Sequence, residues 1–262
     1  MAKETRNSTP SRAIVQDLNI DPSLKFRIEE AYKSIRTNIA FSVMKEGCKT
    51  IVVTSSMASE GKTTTTINLA ISFAQAGQRV LLIDGDLRKP KVHQYFSLPN
   101  SPGLTNYLGA SVQRGENVRV NSVTHKTQYS NLYVICSGSI PPNPSEILGS
   151  DPMSRFIDEA EMMYDYIIID TPPINLVSDA LPVIKKSDGV ILVVRQNLST
   201  HPEVERALSA LQFIDAKILG FIVNFSDPDA KSSRYGRKAY RYSYSDYGYG
   251  YGYGYSSKDK RR

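Results

Sequence analysis

The sequence predicts an α/β fold, with a mostly parallel β-sheet flanked by helices on both faces. Short apolar, β-branched runs alternate with helical patterns through most of the 262 residues. Runs such as 167–169 and 191–194 are apolar at every position, which is typical of parallel strands covered on both sides. Residues 231–262 contain no aliphatic side chain except Ala239, so this C-terminal tail is predicted to be disordered.

Six strands and two helices follow from these patterns. The predicted strands are 50–55, 79–84, 132–136, 166–170, 189–194 and 220–224. A helix over 62–76, ended by Gly77 as its C-terminal cap, joins the first two strands into a βαβ unit. Upstream, Asp21 followed by Pro22 predicts an N-cap and first turn of a helix that runs to about Phe41.

We expect one domain over residues 21–230, between a flexible segment, 1–20, and the tail, 231–262. Hydrophobic residues make up 40% of the chain and charged residues 22%, which excludes a fibrous or wholly disordered protein. The chain has neither an apolar run of membrane-spanning length nor a secretory signal pattern, so a cytoplasmic location is expected. Cys48 and Cys136 adjoin strand-like runs outside any metal or redox motif, and we expect both to be buried thiols.

The net charge of +6 comes from the tail. Residues 231–262 contain nine basic and two acidic residues, whereas the rest of the chain contains 23 basic and 24 acidic residues. A polyanionic partner would therefore be attracted to the tail and not to the domain.

Residues 56–63, Ser-Met-Ala-Ser-Glu-Gly-Lys-Thr, follow a predicted strand and open a predicted helix, which is the context of a P-loop. Backbone N–H groups at the helix start attract phosphate oxygens, Lys62 reaches the β- and γ-phosphates, and the Thr63 hydroxyl can ligate Mg²⁺. Ser56 replaces the first glycine of the usual pattern, which makes the pattern alone only moderately specific. The predicted nucleotide-binding residues are Ser59, Glu60, Gly61, Lys62, Thr63, Thr64 and, at the end of the last strand, Asn224.

Three aspartates end two further strands. Asp84 and Asp86 follow one buried run, and Asp170 ends another. Parallel strands present their carboxyl ends at one edge of the sheet, so these carboxylates are expected to converge on the P-loop. Since Mg²⁺ prefers oxygen ligands, the sequence predicts a metal and nucleophile site there, with Lys62 among its catalytic residues.

The tail carries nine of the 16 tyrosines. They are Tyr235, Tyr240, Tyr242, Tyr244, Tyr247, Tyr249, Tyr251, Tyr253 and Tyr255. The alternating glycines from 247 to 255 disfavour helix and strand, so we expect these tyrosines to act as phosphate acceptors. An alternative is an Arg/Tyr/Gly tail that stacks on single-stranded nucleic acid.

These motifs together closely resemble the bacterial protein-tyrosine kinases of capsular and exopolysaccharide operons, over roughly residues 22–255. The matching segments are 30–38, 60–64, 82–90, 141–146, 170–173, 177–180 and the tyrosine cluster. The resemblance implies a P-loop fold of the MinD/ParA-like branch and an ATP- and Mg²⁺-dependent autokinase. In this family pattern Asp84 is the base that accepts the tyrosine proton, whereas Thr63, Asp86 and Asp170 organise the metal.

The resemblance also implies partners. Glu30, Lys33 and Arg36 fall on the family's ExxRxxR helix, which is associated with ring oligomers whose tails are phosphorylated between neighbours; Lys33 replaces an arginine and loses its bidentate geometry. A membrane-anchored activator is expected to recruit the chain to the inner face of the membrane. A cognate tyrosine phosphatase is also expected, whereas nucleic acid is not. The output would be control of polysaccharide polymerisation or export.

Two departures from the family pattern bear on function. Ala58-Ser59 stands where a Pro-Gly pair is common, which requires a serine at positive φ if the loop keeps its shape. Met57 lacks the additional lysine of the MinD and ParA ATPases. A positioning ATPase of that kind is the second hypothesis, and a nucleic-acid-binding module acting through the tail is the third.

Overall fold

The computed structural model describes residues 14–114 and 118–226. Within them, seven strands form one sheet in the order β3-β4-β2-β5-β1-β6-β7. The strands are β1 Lys49–Ser55, β2 Val80–Asp84, β3 His125–Lys126, β4 Leu132–Ile135, β5 Tyr166–Asp170, β6 Gly189–Arg195 and β7 Ile218–Asn224. All neighbours pair in parallel except β3, which is antiparallel to β4. The predicted fold class is confirmed.

Helices connect the strands. They are α1 Pro22–Ser42, α2 Lys62–Gln75, α3 Val92–Tyr95, α4 Leu104–Arg114, α5 Pro144–Leu148, α6 Asp151–Glu161, α7 Leu181–Lys185 and α8 His201–Phe213, with short 3-10 turns at Val15–Asp17 and Val120–Val123. The Asp21 side chain accepts hydrogen bonds from the backbone N–H groups of Ser23 and Leu24, as an N-cap should. Gly77 adopts a φ of +85° just after α2, as expected of a C-terminal cap.

The core has two layers, one on each face of the sheet. Alternate residues of β5 enter different layers: Ile167 and Ile169 pack with α4, α6, α7 and α8, whereas Ile168 packs with α1 and α2. Every residue of β5 is buried, which explains why its sequence is apolar without alternation. Cys48 and Cys136 are buried and unpaired, and burial raises the pKa of both thiols to about 12.

The strand boundaries agree with the sequence within two residues. β5 matches its prediction, β1 begins one residue earlier, and β7 begins at Ile218 instead of residue 220. The two-residue β3 was not predicted, because a segment so short has no measurable alternation. None of the described helices combines the length and apolar character needed to cross a bilayer.

The end of the expected flexible segment 1–20 differs from its prediction. Ile14 and Val15 are buried, and the Val15 N–H donates to Asn68 Oδ1 of α2 at 2.8 Å. These two apolar side chains are too few to show a periodic pattern, and their burial depends on the surface that α2 offers. Residues 1–13 and the tail from 227 onward lie outside the described residues.

Candidate active site

The P-loop, residues 56–61, connects β1 to α2 through two left-handed residues. Ser59 has a φ of +67° and Gly61 a φ of +86°. Ser59 therefore has the positive φ that is expected if the loop keeps the shape common in the family. This conformation costs some free energy for a residue with a Cβ. At Gly61 a Cβ would lie 2.0 Å from Asn224 Nδ2, so only glycine fits.

Glu60 holds the loop together from inside. Its side chain is buried, accepting from the Ser56 hydroxyl at 2.6 Å and from the Met57 N–H at 2.8 Å. The Ser199 hydroxyl also donates to this carboxylate. Ser56 is thus compatible with the position normally held by glycine, because its hydroxyl is bonded within the loop. The Glu60 carboxylate is committed to the loop, which leaves its backbone N–H for the predicted role in nucleotide binding.

Asn224 closes the other side of the loop. Its Nδ2 donates to Glu60 O at 3.1 Å and to Thr65 Oγ1 at 3.3 Å. Arg195 donates to Ser59 O at 3.1 Å, and its guanidinium lies 3.9 Å from the centre of the Phe225 ring. The sequence pattern gave no indication of Arg195 or Ser199, because their proximity to the loop depends on how β6 is placed in the sheet.

The first turn of α2 meets the end of β5. Lys62 Nζ lies 2.8 Å from Asp170 Oδ1, and the Thr63 hydroxyl donates to Asp170 Oδ2 at 2.8 Å. The Thr66 hydroxyl donates to Asp170 Oδ1 at 3.1 Å. Asp170 is 1% exposed, so a buried carboxylate is satisfied by one cation and two hydroxyls.

Asp84 lies beside Asp170, since these residues are register partners in β2 and β5. It is completely buried, and its partners are backbone groups: Oδ2 accepts from the N–H groups of Lys91 and Val92 at 3.0 Å, and Oδ1 from that of Asp86 at 3.2 Å. Burial, with the nearby charge of Asp170, raises the pKa of Asp84 to about 7. A carboxyl group with this pKa can exchange a proton near neutral pH.

Asp86 is the more accessible of the two β2 carboxylates. Its Oδ2 lies 4.0 Å from Lys62 Nζ, and its Oδ1 accepts from the Lys89 N–H at 3.0 Å. The predicted convergence of Asp84, Asp86 and Asp170 on the P-loop is therefore what the described residues show.

Arg88, which follows β2, pairs with Asp179. Its Nη2 lies 3.0 Å from Asp179 Oδ1 and its Nε contacts the other oxygen, which is bidentate geometry. Asp179 is 1% exposed, whereas the Arg88 side chain is 47% exposed. The pair ties the segment after β2 to the segment after β5.

Two tyrosines form hydrogen bonds with threonines of α2. Tyr95 OH lies 2.7 Å from Thr64 Oγ1, so the hydroxyl of Thr64 already has a protein partner. Tyr32 of α1 hydrogen-bonds with Thr65, and burial raises the pKa of Tyr32 to about 12. These tyrosines are therefore packing and hydrogen-bonding groups beside the loop.

The three expected oligomerisation residues have different surroundings on α1. Lys33 Nζ pairs with Glu30 Oε1 at 2.7 Å on the exposed surface. Arg36 instead donates to Ser72 O of α2 at 2.6 Å and is half-buried. The nine tail tyrosines lie outside the described residues.

The fold and this arrangement of a P-loop beside strand-end aspartates define a P-loop nucleotide-binding protein. A family profile described as AAA domain matches residues 48–218. The chain is 34% identical to a putative tyrosine-protein kinase, CapB, of Staphylococcus aureus, covering 86% of this chain and 96% of that protein. It is 42% identical to the tyrosine-protein kinase YwqD of Bacillus subtilis, covering 79% and 84% respectively.

A solved structure, the kinase domain of Escherichia coli tyrosine kinase ETK, superposes with a TM-score of 0.71 at 33% identity, covering 87% of this chain and 81% of that one. The chain belongs to the bacterial protein-tyrosine kinases, and it is an enzyme of that class. A MinD structure from Pyrococcus horikoshii, at 24% identity and a TM-score of 0.53, shares the fold alone.

Proposed function

We propose that this kinase uses ATP and Mg²⁺ to phosphorylate the nine tyrosines of its own C-terminal cluster, between molecules, and thereby regulates capsular or exopolysaccharide polymerisation or export. Family membership supplies the tyrosine-kinase activity. The acceptor tyrosines, the metal and the cellular output are the parts that we add.

The residues present fit a magnesium nucleotide. Gly61, packed against Asn224 without room for a Cβ, precedes the first turn of α2, where backbone N–H groups attract phosphate oxygens. Thr63 and Asp170, with Asp86 nearby, offer oxygen ligands, and Mg²⁺ is commonly held by one or two carboxylates together with phosphate oxygens. Bound Mg²⁺-ATP supplies the γ-phosphoryl group and neutralises its charge. Lys62, Thr63 and the loop N–H groups would hold the phosphates.

One observation carries the proposal: Asp84 and Asp170 are register partners with opposite surroundings. Asp170 contacts a cation, whereas Asp84 contacts backbone N–H groups and has a pKa raised to about 7 by burial. In the proposed reaction a tyrosine hydroxyl gives its proton to Asp84 Oδ1, the oxygen with the single, longer hydrogen bond. The phenolic oxygen would then bond to the γ-phosphorus as the bond from that phosphorus to the β,γ-bridging oxygen breaks, with ADP as the leaving group, and Asp84 would later release the proton to solvent.

The proposal extends to partners of the kinase. The exposed pair of Glu30 and Lys33 would contact a neighbouring subunit in a ring, whereas Arg36 supports α1 against α2. A membrane-anchored activator would hold the kinase at the inner face of the membrane, and a tyrosine phosphatase would reset the tail.

Intact-mass spectrometry before and after incubation with Mg²⁺-ATP, with and without the cytoplasmic segment of the activator, tests the proposal. We expect a ladder of single phosphoryl increments that maps to residues 235–255. The increments should be absent from Lys62→Met and from a chain with all nine tail tyrosines replaced by Phe. ATP hydrolysis without phosphotyrosine would instead favour a positioning ATPase, and salt-sensitive binding of single-stranded nucleic acid that requires residues 231–262 would favour the third hypothesis.

A further inference from the structure

A groove opens between α4 and the segment that leads into α5. Its volume is about 500 Å³, and its walls include Leu108 and Val112 on one side and Ile140 and Ile147 on the other. Val112 is 73% exposed and Ile140 66% exposed, so two large apolar side chains meet solvent in one place. Clustered exposed apolar groups of this kind mark binding sites more often than isolated ones do.

The groove lies at the catalytic edge of the sheet. Ile83 and Ile135 are register partners, so Cys136 lies beside Asp84. The N–H of Leu104 donates to Cys136 O at 2.8 Å, which starts α4 at this edge, and Thr105 Oγ1 donates to Ser139 O at 2.8 Å. Ser139 lies three positions after Cys136, a reach of at most about 11 Å, and neighbouring strands are about 4.8 Å apart. The groove therefore begins within about 16 Å of Asp84.

We propose that this groove is an acceptor-docking site that binds the Tyr-Gly repeat, residues 247–255, of a second copy of the chain. The inference rests on the proposed function. A tyrosine seated between Val112 and Ile140 would bury its ring against apolar walls. Its hydroxyl would reach the polar rim that Asn106 and Asn143 provide.

The spacing of the repeat fits the distance to the catalytic carboxylate. Tyrosines recur at every second residue from 247 to 255, which in an extended chain is about 7 Å. With one tyrosine in the groove, those two and four residues away lie up to about 7 and 14 Å along the chain, a span comparable with the distance from the beginning of the groove to Asp84. A repeat therefore lets each tyrosine dock while another reacts, which a lone acceptor tyrosine does not allow.

Charge favours the same occupant. Glu146 is the single charged side chain among the described residues that line the groove. The tail contains nine basic and two acidic residues, so the Glu146 carboxylate at the groove favours its approach before phosphorylation. Phosphorylation adds about −1.5 to −2 charges per tyrosine and would weaken the attraction, which releases the product.

A kinetic double-mutant cycle tests the groove. The enzyme is the full chain with its nine tail tyrosines replaced by Ser, so that its own tail neither reacts nor docks. The acceptor is the full Lys62→Met chain in which Tyr251 is kept and the other eight tail tyrosines are all Phe or all Ser. Phe preserves the docking ring without its hydroxyl, and we expect the KM of the Phe acceptor to be about tenfold below that of the Ser acceptor.

In the cycle, Ile140→Lys in the enzyme should raise the KM of the Phe acceptor about tenfold and abolish the difference between the two acceptors, with kcat and the KM for ATP unchanged. Met162→Lys is the matched control, since it adds the same charge at a side chain that is 79% exposed at the far end of α6. Equal KM values for the two acceptors, or a difference that survives Ile140→Lys, would overturn the docking site while phosphorylation of Tyr251 upholds the proposed function. No phosphorylation of a Lys62→Met acceptor with its native tail would overturn both.

Discussion

The ends of β2 and β5 contain the same residue type in the same register, yet they create different chemistry. Asp84 and Asp170 are paired across the two strands and both are at most 1% exposed. Asp170 faces α2, where Lys62 and two threonine hydroxyls contact it. Asp84 faces the segment after β2, and within the described part of the chain the hydrogen bonds to its oxygens come from backbone N–H groups.

The comparison shows that the partner, more than burial, decides what a buried carboxylate does. Asp170 is held by a cation and hydroxyl groups, which suits a group that organises phosphate and metal. Burial beside a second carboxylate raises the pKa of Asp84 to about 7, which suits a group that accepts and releases a proton.

The largest effect is expected from Lys62→Met, which removes the cation from the β5 side. Kinase activity should fall about 10³-fold, because the amine is proposed to stabilise the transferring phosphates. The free energy of unfolding should fall by about 3–5 kcal/mol, since Asp170 is left buried without its partner. Phosphotyrosine assays and urea unfolding measure both.

Lys45→Met is the control for this variant, because Lys45 pairs with Glu161 and Asp188 at the opposite edge of the sheet. It should retain wild-type activity. Full activity in Lys62→Met would show that Lys62 of the P-loop does not bind the transferring phosphates.

On the β2 side, Asp84→Asn should lower kcat about 10²–10⁴-fold while leaving nucleotide affinity unchanged. In the wild type, activity should rise with pH and reach its half-maximum at about 7, because the base must be ionised. A fluorescent nucleotide titration and a pH–rate profile separate binding from proton transfer.

Ionisation of Asp84 should also affect the free energy of unfolding, which should fall with rising pH where activity rises. The folded chain holds the Asp84 proton up to its raised pKa of about 7, whereas the unfolded chain releases it near the ordinary pKa of 3.8. The contribution of Asp84 to stability is therefore lost as pH rises between those values. Asp84→Asn should flatten this decline, and a decline of unchanged slope would show that Asp84 does not titrate there.

A smaller effect on activity is expected from breaking the Arg88–Asp179 pair, which links the segments after β2 and β5. Arg88→Gln removes the bidentate partner of Asp179 and frees the segment that carries Asp84 and Asp86. Activity should fall about 10- to 100-fold through misplacement of the carboxylates. The thermal midpoint should fall as well and recover in Arg88→Gln/Asp179→Asn, whose neutral side chains can still hydrogen-bond.

If Arg88→Gln loses activity while the midpoint of its pH–rate profile is unchanged, Arg88 acts by positioning the carboxylates and not by altering the pKa of Asp84. Were Arg88 instead a phosphate ligand, its loss would weaken nucleotide binding, and the double variant would not differ from the single one in stability.

The smallest effect is expected far from both strand ends, at Lys33→Ala on α1. An exposed pair such as Glu30 and Lys33 contributes about 0.5 kcal/mol or less to folding. Monomer stability should therefore hardly change, whereas the proposed ring should dissociate at lower salt, as analytical ultracentrifugation can measure. An unchanged salt dependence of assembly would show that Lys33 does not contribute to the subunit interface.

The sequence predicted much of the site because its chemistry is local in the chain. Residues 56–63 follow a strand and open a helix, and Asp84 and Asp170 end apolar runs, so parallel pairing alone brings them to one edge. Arg195, Ser199 and Asp179 could not be found in this way. Each contacts the site only after a strand and a loop distant in sequence have been placed.

The order of elements, the P-loop and the edge where the aspartates meet can be read from the amino-acid sequence, because hydrophobic periodicity and motif spacing are properties of neighbouring residues. Which aspartate has a cation and which has a raised pKa depends on the folded structure. The folded structure also decides that Arg36 supports α2 and that Glu60 turns into its own loop. Those outcomes depend on burial and on partners from distant segments, which folding alone brings into contact.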